Sequence, residues 1–513
     1  MAPVNPWLVA ISVMFATFME VLDTTVVNVS LPHIAGSLSA SVDEATWALT
    51  SYLVANAIIL PMTGWLASYF GRKRLLMVSV VGFTVSSFLC GLAPTLATLI
   101  LFRVLQGATG GALQPLSQAV LLEAFPPQER GKAMGFWALG IVVAPILGPV
   151  LGGWLTDSYS WRWVFYINIP VGIASIVMTK LYIVDPPYLR RESSRVDYWG
   201  MGLLVIGIGA LQILLDKGQQ EDWFASSFIT GLAIVSACTL VALVVRELVV
   251  DHPIVDLRVF RERSYAVGVF LMTVVGFVLY GSMVLLPIML QTLLGYPSLQ
   301  AGIAMSPRGI GSFFMMPITG LMTGRFDPRK LLTCGLIVGG STLIWLSRVN
   351  LQAGYWDFFW PQLVQGAGLS LLFVPLTTVA MDAIPRERMG NATSLFNLMR
   401  NIGGSIGIAM TGTLVARHQQ AGIALFGANV TALDGETQVL FAQIRAGFMA
   451  AGADAVTATS RTYGALFGMV QQQAAIVSFV GLFEAMGLVF FLLLPLVALM
   501  KRPRAGRGAA AGH

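Results

Sequence analysis

The sequence predicts an all-α polytopic membrane protein built as two six-helix bundles plus two inserted helices, fourteen spans in all. Three observations carry that expectation. Apolar runs long enough to cross a bilayer recur from end to end. Of the 513 residues 56% are hydrophobic and only 11% charged, at a mean hydropathy of +0.76, whereas a soluble domain carries about 25% charged residues. An internal repeat then divides the chain: Pro61-Met62-Thr63-Gly64 with Phe70 and Arg72-Lys73-Arg74-Leu75 returns as Pro317-Ile318-Thr319-Gly320 with Phe326 and Arg329-Lys330-Leu331. Gln106-Gly107-Ala108 is echoed in the same way by Gln365-Gly366-Ala367.

The expected spans are 8–30, 46–69, 75–93, 97–121, 133–156, 163–183, 199–215, 228–247, 266–291, 299–323, 330–348, 357–381, 393–416 and 476–500. The halves are residues 1–183 and 264–500, with the inserted pair in 184–263 and a basic tail at 501–513. Paired parallel halves place a binding cavity between them near the bilayer midplane, with access alternating by rocking. The first run is too long for a signal peptide, carries two acids and lacks a small-residue cleavage site.

The formal charge of +6 is an orientation signal rather than a nucleic-acid footprint. Lys and Arg concentrate in alternate loops, as in Arg72-Lys73-Arg74, Arg130 with Lys132, Arg258 with Arg261, and Arg329-Lys330. That asymmetry places both termini in the cytoplasm.

In the first span Glu20 and Asp23 stand near mid-bilayer, where a charge costs about 3 kcal/mol. Three residues apart, they are expected on one helical face, where two acids resist double ionisation and can bind a proton. A carboxylate that merely pairs with a neighbouring arginine is the structural alternative. Arg103, deep in the fourth span, is the natural partner for Asp23 or Glu20. Its counterpart in the repeat is near Gln362, so this charge belongs to the first half alone. Glu20, Asp23 and Arg103 are therefore the candidate proton-coupling residues.

Asn28, Gln106, Gln114, Arg308, Asn397 and Arg400 are candidate cavity-lining polar groups, although Gln114 and Gln118 serve equally well as interhelical hydrogen bonds. Asn397, Arg400 and Asn401 share a helical face, and Glu484 lies inside the last span. For gating, the candidates are Gly64, Gly71 and Arg72 in the repeated basic turn. In the fifth span Gly140, Ala144, Gly148 and Gly152 form a small-residue face. Pro145 and Pro149, which bend that helix, join Gly148 among the gating candidates.

The connection from Arg417 to Gln473 is expected on the outer face. Leu440, Phe441, Ile444, Phe448 and Met449 suggest an amphipathic interfacial helix within it, or a surface for an external partner. Cys90, Cys238 and Cys334 fall within spans and are expected to pack, with no zinc or disulfide spacing. The four histidines, His33, His252, His418 and His513, are read as loop or tail residues. With no Walker A or HExxH pattern, neither a metal, a cofactor nor an enzymatic centre is expected.

These motifs together resemble the major facilitator superfamily, and within it the fourteen-span drug:proton antiporters of the EmrB and QacA kind, on the EmrB side. The likeness rests on Leu22-Asp23-Thr24-Thr25-Val26-Val27-Asn28, on Arg103 with Gln106-Gly107, and on Gly140 to Gly153 with Ala144-Pro145 and Gly148-Pro149. Asn168-Ile169-Pro170-Val171-Gly172 and Pro253-Ile254-Val255-Asp256-Leu257 extend it over nearly the whole chain. The resemblance implies a major facilitator fold and proton-coupled export of hydrophobic or amphipathic toxic compounds. It further implies a place in a bacterial inner membrane, beside a periplasmic adaptor and an outer-membrane channel. Export of one endogenous metabolite, such as a siderophore, fatty acid or antibiotic, is the alternative. One departure matters: the superfamily's loop motif carries an acid where Ser68 stands, so Arg72 must pair elsewhere, with Glu123 or Glu129.

Overall fold

A computed structural model describes residues 5–126, 128–185, 197–251, 253–431 and 434–501. Every regular element among them is helical. The amino-terminal group comprises α1 (Pro6–Ser37), α2 (Trp47–Phe70), α3 (Arg72–Leu92), α4 (Leu96–Ala124), α5 (Arg130–Ser158) and α6 (Trp163–Tyr182). An inserted pair follows, α7 (Tyr198–Lys217) and α8 (Ser227–Val249). The carboxy-terminal group comprises α9 (Arg263–Leu293), α10 (Ser298–Thr323), α11 (Pro328–Leu346), α12 (Tyr355–Asp382), α13 (Met389–Asn429), α14 (Gly435–Ala450) and α15 (Ala455–Val497).

Local chemistry fixes where these helices begin. Thr95 and Thr98 form a reciprocal capping box before α4, satisfying amide donors that a helix start leaves unpaired. Asp327 caps α11, and Pro328 occupies its first turn, where a missing N–H costs nothing. Asn5 and Pro6 open α1 in the same manner.

Eleven of the described helices are long and apolar enough to cross a membrane, and α5 makes a twelfth across a 41° bend between Pro145 and Val150. The chain is therefore a multi-pass membrane protein. α10 and α13, at 26 and 41 residues, are more polar along their length but pack between the others, so fourteen crossings are compatible with this set. The seventh span, the shortest of those expected from sequence, is a 20-residue apolar helix.

Within the amino-terminal group α1 packs on α5, α6 and α4, and α2 on α4. In the carboxy-terminal group α9 packs on α13 and α10 on α12. The groups meet through α5 against α10 and α2 against α13. At the end bearing Arg72 and Arg329, this seam is close. A Cβ on Gly64 would collide with the backbone of Asn391, so only glycine permits α2 to touch α13 there. Gly131 and Gly135 of α5 lie against Gly320 and Met316 of α10.

The inserted pair spans the seam at the opposite end. Asp216 of α7 accepts from the Thr50 hydroxyl, and Lys217 Nζ donates to Thr46 at 2.5 Å. On the other side Gln212 bonds Ser405 at 3.1 Å and Trp223 Nε1 donates to Thr413 at 2.8 Å.

Four expectations need correction. The connection 417–473 is shorter than expected: α13 runs on past 416 to Asn429 and α15 begins at Ala455, while α14 (Gly435–Ala450) covers the helix expected around Leu440–Met449. Polar residues on these extensions hide them from hydropathy, although the packing of Phe441 on Tyr463 at 5.0 Å holds α14 to α15. Cys238 and Cys334 are exposed and only Cys90 is buried, because a span shows one face to lipid. His33 and His418 lie within α1 and α13, both exposed, while His252 and His513 lie outside the described residues. Glu484 is exposed on α15, away from any shared seam.

Candidate functional site

Near the middle of α1 the two carboxylates part company. Asp23 is fully buried and accepts from Arg103 Nη1 at 2.6 Å, Gln106 Nε2 at 2.9 Å and Asn168 Nδ2 at 2.8 Å. Asn168 also donates to Ser87 Oγ at 3.0 Å. Arg103, itself wholly enclosed, donates through Nε to the Ala48 carbonyl at 3.0 Å and through Nη1 to Gln106 Oε1 at 2.8 Å. Its guanidinium carbon sits 4.2 Å from the Tyr52 ring centroid. Charge, hydrogen bonds and a π face compensate most of this buried ion pair, although Arg103 Nη2 is buried without a hydrogen-bond partner among the described residues.

Glu20 takes different partners. Its Oε1 accepts from Asn56 Nδ2 at 3.1 Å, and Oε2 is buried with no hydrogen-bond partner among the described residues. Gln114 and then Arg400 are its further polar neighbours. Residues three apart on a helix are displaced by about 60° around its axis, enough for α1 to offer Asp23 to α4 and α6 and Glu20 to α2.

Gln114 and Gln118 carry this polar line across the seam. Arg400 Nη2 of α13 donates to Gln114 Oε1 at 2.5 Å, and Asn397 Nδ2 donates to Gln118 Oε1 at 2.6 Å. The carboxylate of one group thus connects to the guanidinium of the other through a single glutamine. Asn401 joins Arg400 at 3.4 Å. Asn28 is exposed farther along α1 and outside this network. Arg308 is also apart from it, buried against Ser282 of α9.

At the basic end, buried Arg72 pairs with Glu123, whereas Glu129 pairs with Lys132. Gly71 has φ of +88°, a left-handed turn that favours glycine. Asp185, just beyond α6, accepts from the Lys73 backbone nitrogen at 2.8 Å. Sequence reasoning missed this carboxylate, along with Asn168, Ser87 and Asn56. In α5 a side chain at Gly148 would run into Thr25 of α1, Pro145 stands at the bend, and the side chain of Pro149 lies outside those described. Among the described residues no three His, Cys, Asp or Glu side chains converge on a metal-sized site.

The family model for the Major Facilitator Superfamily matches residues 13–408. The chain belongs to the major facilitator superfamily. Relatives of this superfamily chain include the multidrug export protein EmrB of Haemophilus influenzae, 45% identical over 79% of this chain and 79% of that one. EmrB of Escherichia coli is 38% identical over 99% of this chain and 98% of its own. The fatty acid resistance protein FarB of Neisseria gonorrhoeae is 38% identical over 96% of each. Among solved structures, the human organic anion transporter MFSD10 (TETRAN) superposes with a TM-score of 0.60 at 13% identity, covering 96% of this chain and 99% of that one. That likeness bears on the fold alone.

Proposed function

We propose that this protein is a proton-driven exporter of hydrophobic and amphipathic toxic compounds in a bacterial inner membrane, with both termini cytoplasmic. The relatives named for multidrug export and fatty acid resistance support the cargo class. The observation that carries the mechanism is the division of labour between the two acids of α1. Asp23 is tied to Arg103 by direct contact, while Glu20 keeps one oxygen without a partner and faces the cross-seam line through Gln114 to Arg400.

In this reading Glu20 is the group that takes up and releases the proton. Charged, it draws Arg400 through Gln114 and holds α1, α4 and α13 together. Protonated, it releases that hold, and the seam opens where Gly64 meets Asn391. The close approach of α2 and α13 at the basic end, read as cytoplasmic from its charge asymmetry, supports a reading of this arrangement as shut on that side. Proton return supplies roughly 2.3 kcal/mol per 100 mV. A periplasmic adaptor and an outer-membrane channel complete the route, with the extramembrane part of α13, α14 and α15 as the docking face.

Reconstituted vesicles with an imposed pH gradient test this reading. Gradient-driven export of an uncharged dye is expected from wild type and is lost in Glu20→Gln. Export that ignores the gradient, or that persists undiminished in Glu20→Gln, removes the mechanism.

A further inference from the structure

Arg308 lies in α10 behind Pro307, and the register of the Pro61 and Pro317 match sets it where Tyr52 stands in the amino-terminal group. Ser282 is on α9, the first helix of its group, as Asp23 is on α1. Arg308 Nη2 donates to Ser282 Oγ at 2.8 Å, so a neutral hydroxyl receives this guanidinium where a carboxylate receives Arg103. No described carboxylate forms an ion pair with Arg308, and its Nε is buried without a partner. A second orphan lies nearby. Gln362 Oε1 is buried without a partner on α12, one turn from Gly366, whose backbone packs on the Arg308 carbonyl.

A guanidinium cannot shed its proton at any working pH, and a hydroxyl does not neutralise it. Among the described residues the carboxy-terminal group therefore holds an intramembrane positive charge with no carboxylate paired to it, an arrangement that marks a ligand pathway. Accessibility separates the two arginines: Arg103 is 0% exposed and Arg308 is 8% exposed. The first is sealed into its ion pair, and the second, also buried, is less completely enclosed and lacks a charged partner among the described residues.

We propose that Arg308, with the Ser282 hydroxyl, is an anion site that holds the carboxylate of an amphipathic acid while its apolar tail lies among the surrounding helices. The proposal rests on the exporter reading and names one cargo class for it. Arginine suits the role because its planar fork meets a carboxylate with two parallel hydrogen bonds.

Equilibrium binding to the purified full-length protein in nanodiscs, in chloride-free buffer, tests it without a gradient. The probes are decanoate and methyl decanoate, which differ at the carboxyl group and share the chain. Wild type should bind decanoate about tenfold or more tighter than the ester. Arg308→Gln should bring that ratio close to one, and Arg308→Lys should keep part of it. Should Arg308→Gln fail to elute as a monodisperse species, Ser282→Asp takes its place: it neutralises the arginine internally, as Asp23 does Arg103, and should likewise abolish the preference. A ratio near one in wild type, or a ratio retained in both variants, overturns the proposal. Displacement of decanoate from wild type by chloride at physiological concentration assigns the site to a halide and overturns the carboxylate reading. Because no proton gradient enters these measurements, failure here leaves the coupling test of Glu20 standing by itself.

Discussion

Asp185 and Lys73 are 112 positions apart in the chain, and the carboxylate of the first accepts a hydrogen bond from the backbone nitrogen of the second at 2.8 Å. This contact supplies a negative group to the Gly71 turn and to the start of α3, where unpaired amides and the helix dipole favour one. Position 68 holds no acid; Arg72 pairs with Glu123 of α4 instead, and Asp185 from the end of α6 brings a second carboxylate to the same turn. Ser68 itself only bonds back to the Gly64 carbonyl.

Asp185→Ala should therefore cost about 1 kcal/mol, the usual value of a lost cap, and loosen closure at the basic end. Cysteine pairs placed across α2 and α13 should cross-link more slowly in the variant. Unchanged cross-linking and melting temperature would show that the contact is incidental.

Asp23→Ala leaves the Arg103 guanidinium buried without its counter-ion, which costs about 3–5 kcal/mol. Asp23→Asn keeps the hydrogen-bonding shape and loses the charge, so it should express better than the alanine variant yet export poorly. Yields and melting temperatures in detergent give the ordering wild type, Asn, Ala. Equal stability of the two variants contradicts an ion pair of this strength.

Gly64→Val meets the backbone of Asn391, which has no way to yield as a flexible side chain would. Export should fall at least tenfold while the protein still folds, because the clash exists only when the basic end is closed. Inward accessibility, read by cysteine labelling on that side, should rise. A variant with normal export and normal labelling would show that the two helices part at no cost.

Asp197 caps α7 and receives Arg246 from α8 at 2.7–2.9 Å. The hydrogen bonds from Arg246 hold the Asp197 carboxyl below its ordinary range. A depressed carboxyl stabilises the fold above its unfolded value, and that contribution fades as pH falls through the folded value. Asp197→Ala should thus melt lower than wild type at pH 7, by about 1 kcal/mol for the cap, and the gap should narrow in acid. A gap that widens as pH falls has the wrong sign for this pairing.

Much of the site is legible from residue type alone. Glu20, Asp23 and Arg103 declare themselves because charges at bilayer depth are costly, and nothing cheaper than pairing keeps them there. Their division is not legible, since a spacing of three names a face and not the helix that covers it. Asn168 and Ser87 are neutral polar residues in apolar runs, and the contact of Asn168 with Asp23, and of Ser87 with Asn168, depends on how α6 and α3 pack around α1. The pairing of Arg72 with Glu123 was one of two options the sequence offered, and α4 decides between them by ending beside α3. Hydropathy marks where lipid surrounds a helix, so it misses the polar turns by which α13 and α15 outrun the bilayer.

Those extra turns change what the molecule can transmit. A helix of 41 residues is about 60 Å long at 1.5 Å per residue, roughly twice the hydrocarbon thickness. Pivoted near the membrane centre, about 15 Å from its start, a tilt of about 10° sweeps the far tip of α13 through about 8 Å, given that geometry. The same helix carries Asn391 at its other end and Arg400 near the pivot, so a rocking motion at the seam would be delivered outside the membrane as a lever's displacement.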